Sequence, residues 1–191
     1  MKTLYIERSS GHGRDGDWVE RLDLDGVERI VVGTGPGSFA GVRSAIAFAQ
    51  GFALGRRCEV LGLPSPCAIA AQVFAGTGGA RWLAVVGDAR CGRLWIALFN
   101  GFALEGDVFQ VSRGRIVEAL NEPSAHGCDI VTADEARIGD ILKAAFGGRY
   151  IGGATPTAEG LRSFAEACPS LLRPEPLPIY LNPAVRAASV A

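Results

Sequence analysis

A short apolar strand that runs into a glycine-rich turn and leaves it through an uncharged helix constrains this chain most. Glu28 to Gly33 (ERIVVG) reads as a buried strand ending in glycine. The turn Gly33-Thr34-Gly35-Pro36-Gly37-Ser38-Phe39-Ala40-Gly41 follows. A helix is expected from about Val42 to Leu54, with Gly55 as the C′ residue that closes it. Gly35, Pro36, Gly37, Ser38 and Phe39 are assigned as a structural loop. Its glycines supply unusual backbone angles and close approach, and Ser38 is placed to cap the helix.

Other readings of the loop fit less well. Gly35-x-Gly37-x-x-Ala40 loosely matches a dinucleotide fingerprint, but it does not follow the first strand. The next strand ends in Gly62-Leu63 rather than an acid. No Gly-Lys-Ser/Thr follows, so a P-loop fails. A nucleophilic Ser38 needs a base, and the only histidines, His12 and His126, sit in no recognisable motif. Asp88, at a strand end, reads as a turn-capping residue or as a metal or water ligand, with no second acid at obvious ligand spacing.

From Ser44 to Leu54 the helix carries no charge. Ala45, Ala49 and Ala53 form one small-residue row; Ala47, Gly51 and Gly55 form another. Either the whole helix is core of its own lobe, or one face packs inward and the other meets a partner helix. The second reading makes Val42, Ala45, Ile46, Ala47, Ala49, Gln50, Gly51 and Ala53 the candidate partner interface. In isolation such a face predicts a homodimer through paired helices.

The remaining pattern is strands and helices in two successive halves. Thr3 to Glu7, Glu59 to Leu63, Trp82 to Gly87, Arg93 to Phe99, Asp107 to Ser112, Ile130 to Thr132 and Arg149 to Ile151 read as strands. Helices are expected over Ser65 to Phe74, Asp134 to Ala145 and Pro156 to Ala167. Asp88 to Gly92 is expected to be a turn, and Trp18 to Leu24 suits either a short helix or a strand. Pro174 to Pro183 is too proline-rich for regular structure. Ala75 to Ala80 (AGTGGA) is the best linker, which places one lobe at residues 1–78 and a second at 79–191, with the last segment packing back on the first lobe. This is an α/β pattern of two related lobes.

Composition narrows the function. Formal net charge is −1 and Arg56-Arg57 is the only adjacent basic pair, so the chain is unsuited to hold RNA alone. The five cysteines at 58, 67, 91, 128 and 168 form no CxxC pair and read as reduced thiols of a cytoplasmic protein. Met1 to Arg14 has no signal-type apolar core. Ser44 to Leu54 is too short for a membrane span, which takes roughly 20 residues.

Three segments resemble one family. Gly35-Pro-Gly-Ser-Phe-Ala-Gly-Val-Arg43 with Ala47-Phe-Ala-Gln-Gly51 is similar to the GPGSFTGVR signature of TsaB (YeaZ) proteins and its small-residue helix. Asp88-Ala89-Arg90-x-Gly92 resembles that family's DARMGE turn, and Pro178-Ile-Tyr-Leu-Asn-Pro183 its closing PxYLR segment. The matches come in family order. The resemblance implies a two-lobed actin-like ATPase fold with a ribonuclease-H-like core in each lobe. It implies a non-catalytic scaffold in forming N6-threonylcarbamoyladenosine in tRNA, with a TsaD-like protein as partner, alongside TsaE and TsaC. No cofactor, metal or catalytic residue is expected. A glycoprotease-like hydrolase using Ser38 or Asp88, and an actin-like nucleotide-binding regulator, are the alternatives. Two departures stand out. Glu7-Arg8-Ser9 replaces the family's Asp-Thr-Ser, which argues against nucleotide binding. Too few residues separate Glu7 from Gly35 for both a hairpin and a long first helix, so the first lobe is expected to be shortened, with at most a helix remnant over Asp15 to Leu24.

Overall fold

Apolar runs set the strands here, and capping side chains set where the helices begin. The computed structural model describes residues 1–10, 18–76, 82–121 and 127–181. The first half forms β1 (Lys2–Ile6), β2 (Val27–Gly33), α1 (Phe39–Ala53), β3 (Glu59–Leu63) and α2 (Pro66–Ala75). β1, β2 and β3 are parallel neighbours. Ile30, Val31 and Val32 of the central strand are buried on both faces, as in a parallel strand covered by helices. α1 starts ahead of the expected Val42 because the Ser38 hydroxyl accepts the Gly41 N–H at 3.3 Å. Between β1 and β2, Val19–Arg21 makes a single 3-10 turn, neither of the two expected elements. Trp18 and Leu22 flank it and pack on the α1 side of the sheet, Trp18 edge-on to Phe48 at 5.3 Å.

The second half forms β4 (Trp82–Arg90), β5 (Arg93–Asn100), β6 (Ala103–Leu104), β7 (Phe109–Ser112), α3 (Ile116–Asn121), β8 (Asp129–Thr132), α4 (Glu135–Phe146), β9 (Tyr150–Gly153) and α5 (Ala158–Ala167). β4 runs antiparallel to β5, and β7 antiparallel to β5. β8 lies parallel to β4, and β9 parallel to β8. Three antiparallel strands followed by two parallel ones is a ribonuclease-H-like sheet. The first lobe keeps only a parallel part, so the fold is actin-like with a short first lobe. β6 and α3 lie outside the elements expected from periodicity; both are too short to show a period. The reversal after β4 is narrower than expected. Asp88 still pairs with Leu94 in the ladder, and the chain turns on Arg90, Cys91 and Gly92, at φ of 67°, 50° and 72°.

The proline-rich end holds one regular piece. β10 (Arg173–Pro174) adds antiparallel to β3, and the Ile179 N–H donates to the Thr34 carbonyl at 2.8 Å. The end of the second half therefore sits on the first sheet.

Both sheets share one core. Its buried residues run from Val31, Leu61 and Leu63 through α2 to Leu83, Val85, Trp95, Phe99, Leu161 and Phe164. α2 is apolar on every side, with Pro66 to Ala71 and Phe74 buried. It packs against α5, where Gly160 meets the Ala68 carbonyl so closely that a Cβ would lie 2.3 Å from that oxygen. We expect Gly160→Val to force the helices apart and lower stability by about 1–3 kcal/mol. A denaturation midpoint equal to the parent's would show that the close approach is dispensable.

Candidate functional site

Where the two lobes face each other lies an open cleft of about 1330 Å³. One wall carries Arg8 to Ser10 and the loop from Pro36 to Phe39; the other carries Asp88, Thr132 and the start of α4.

The glycine-rich loop is occupied by its own chain. Gly35 adopts φ +85°. A Cβ on Gly37 would lie 2.3 Å from the Ser9 carbonyl oxygen, and one on Gly41 2.1 Å from the Arg8 carbonyl oxygen. The Ser38 N–H donates to the Ser9 carbonyl at 2.7 Å. Ser65, at the head of α2, grips Gly35 from both sides. Its hydroxyl accepts the Gly35 N–H at 3.0 Å, and its own N–H donates to the Gly35 carbonyl at 2.9 Å. The loop's glycines thus answer to packing, and Ser38 spends its hydroxyl on a cap.

Glu7 sits under this loop. Its Oε1 accepts the Ser9 N–H at 2.7 Å. Its Oε2 is closed off from water against Gly33 and has no hydrogen-bond partner among the described residues. Loss of water pushes the Glu7 carboxyl above its ordinary 4.5, and hydrogen bonds from Ser9 pull part of the way back. The folded state therefore holds this proton more tightly than the unfolded chain. Below 4.5 both states are protonated and nothing is lost. As pH rises from there through the raised folded value, ionisation costs stability, and above that value the penalty is constant. Glu7→Gln should therefore gain stability over the parent as pH rises from 4 to 7. A difference between the two melting temperatures that stays flat across that range would refute the assignment.

Asp88 is also engaged. Its side chain is 8% exposed, and Arg137, Arg90 and Arg113 approach it at 3.4, 3.6 and 3.9 Å. Its carboxylate caps the turn by accepting the Arg90 N–H at 3.0 Å. Its own N–H donates to Asp134 at 2.8 Å, which ties β4 to the start of α4. A carboxylate shared among three guanidinium groups is a weak base for activating water. His12 and His126 lie outside the described residues. Among the described residues no three His, Cys, Asp or Glu side chains gather as a metal site. All five cysteines are free, Cys67 and Cys128 fully buried. No helix of the described residues is long and apolar enough to cross a membrane.

α1 divides the expected interface in two. Val42, Ala45, Ile46 and Ala49 are buried against the first sheet, so these four belong to their own lobe's core rather than to a partner. Ala53 is half-buried, while Ala47, Gln50 and Gly51 face outward. A Cβ on Gly51 would meet nothing within 4 Å. One feature was beyond sequence reasoning: Phe39 and Tyr180 meet at 5.7 Å at the cleft mouth, with the Arg43 guanidinium over the Phe39 ring. Both motifs were visible, but nothing local to either says that they touch.

Known proteins share this design. The model of the family described as TsaD, tRNA N6-adenosine threonylcarbamoyltransferase, matches residues 20–118. Over 100 residues, 52% of the chain, the sequence is 33% identical to the tRNA threonylcarbamoyladenosine biosynthesis protein TsaB of Escherichia coli strain K12. The match covers 41% of that protein, so the chain spans about two fifths of the length of this curated relative. YeaZ from Pseudomonas aeruginosa superposes with a TM-score of 0.64 at 24% identity, over 84% of this chain and 77% of YeaZ. A second structure, of a protein with similarity to peptidase YeaZ from Pseudomonas aeruginosa, gives 0.63 at 23%, over 88% and 80%. At these identities the two structures speak for the fold.

Proposed function

Because this chain belongs to the TsaB (YeaZ) family, we propose that it serves in forming threonylcarbamoyladenosine in tRNA, as a non-catalytic scaffold for a TsaD-like enzyme. The observation that carries this reading is the outward face of α1. Ala47, Gln50 and Gly51 lie exposed in a stretch without charge, and Gly51 has no neighbour in its own fold that requires a glycine. Gly costs about 1 kcal/mol relative to Ala inside a helix. A helix of the partner that approaches closely gives that glycine a use.

The cleft supports the same reading. Ser38 is committed to a helix cap and Asp88 to three arginines, which leaves the hydrolase alternative without a free nucleophile or acid there. Arg8 stands where relatives have a small hydroxyl residue, and its guanidinium lies over the Trp18 ring at 4.5 Å. On this reading ATP and tRNA are handled by the partner proteins, TsaE among them, and the chain itself grips neither.

Two substitutions test the surface. Ala47→Glu, at an exposed position, should leave melting unchanged and abolish co-purification with the TsaD-like protein, since burying an unpaired charge costs several kcal/mol. Gly51→Ala should raise the isolated chain's stability by about 1 kcal/mol while weakening that same complex. Undiminished binding by the folded Ala47→Glu variant would remove α1 as the docking face. The scaffold role itself is checked by mass spectrometry of tRNA nucleosides after depletion of the protein: threonylcarbamoyladenosine should fall.

A further inference from the structure

Sheets in solution blunt their edges, because an open row of N–H and C=O groups recruits other strands. Most edges here are blunted. β10 closes one end of the first sheet with two residues, one of them Pro174. In the second sheet, β6 and β7 share one side of β5 as strands of two and four residues. The other side ends in β9, which closes on Gly152-Gly153 and breaks register beside β8.

β1 is different. It forms the other end of the first sheet, and its Thr3-Leu4-Tyr5-Ile6 run has no proline, glycine or charge. Among the described residues no strand pairs with its outer side. Lys2, the one residue of β1 that could guard this edge, is turned back on its own chain. Its Nζ donates to Asp23 at 2.7 Å and to the Asp25 carbonyl at 2.6 Å. Alongside β1 runs a groove of about 410 Å³, with Thr3 and Tyr5 on one wall and Glu159, Arg162 and Glu166 of α5 on the other.

We propose that β1 is a self-association edge, where two copies pair antiparallel about a two-fold axis normal to the sheet and join their first sheets into one. The strand is self-complementary in this arrangement. Such an axis keeps like faces together. Tyr5 packs with the core shared with α5, whereas Leu4 and Ile6 pack on the α1 side. A register centred on Leu4 therefore sets Leu4 against its own copy on the α1 side. On the α5 side it sets Thr3 opposite the second copy's Tyr5, a favourable cross-strand pair. Charge is matched too. Arg162 lies between Glu159 at 3.7 Å and Glu166 at 3.1 Å, a minus-plus-minus row along an exposed helix face. Two such rows running antiparallel bring each Arg162 to the other copy's acids. A second copy meets the strand and charge conditions together, because one isologous contact repeats both. The contact leaves the outward face of α1 free.

Sedimentation equilibrium and hydrogen exchange on the full chain test the proposal. The parent should be dimeric, and the amides of Thr3 to Ile6 should lose protection on dilution. Arg162→Glu sets acids against acids and should weaken the dimer roughly tenfold or more. Mixing it with the double variant Glu159→Arg, Glu166→Arg should restore association, while circular dichroism shows each variant folded. Ala47→Glu should leave the dimer intact, which separates this edge from the α1 face. A parent that stays monomeric at every concentration would overturn the proposal. So would a dimer whose β1 amides show no dependence on dilution, or one that Ala47→Glu dissolves and Arg162→Glu spares. Should Arg162→Glu fail to fold, the exchange measurement on the parent decides.

Discussion

Burial of α2 is the constraint on which the rest depends. A helix of Pro66 to Ala75 with no polar face cannot rest on a surface, so it must be covered all round. The first sheet covers one side and α5 with the second sheet covers another, so the two lobes share one core. Gly160 permits this by letting α5 close on the Ala68 carbonyl. The same helix positions the cleft. Its leading residue, Ser65, holds Gly35 by both of its hydrogen-bonding partners, and through Gly35 the whole loop.

That anchoring bears on chemistry. A loop that cradles a phosphate must leave backbone N–H groups free for it. Here the Ser38 N–H goes to Ser9, the Gly35 N–H to Ser65 and the Gly41 N–H to Ser38. Across the cleft, Asp88 is balanced by arginines and braces β4 against α4. The polar groups nearest the cleft hold the lobes in place. A fold that spends them so is suited to presenting a surface, and α1 and β1 are the surfaces it presents.

Those surfaces arise from one economy. The stretch between β1 and β2 is short, and Trp18 with Leu22 covers the sheet face with a single turn of helix between them. A longer insertion could have laid strands beside β1. Without one, the sheet begins at β1, and an apolar four-residue edge remains beside a charged helix.

How far each part was legible follows from the range of the interactions involved. The loop, the cap at Ser38, the strand–helix alternation and the family likeness were all present in the sequence. They depend on φ preferences, hydrogen bonds across three or four residues, and apolar periodicity, which neighbours along the chain settle among themselves. Only the tertiary structure decided which row of α1 faces out. Ala45–Ala49 and Ala47–Gly51 are chemically alike, and the choice rests on which side β2 and β3 lie. It alone decided that Asp88 would be ringed by Arg90, Arg113 and Arg137, that Phe39 would meet Tyr180, and that β1 would be an edge. Each of these joins segments distant in sequence, and such contacts are set by the packing of whole elements, which no local pattern encodes.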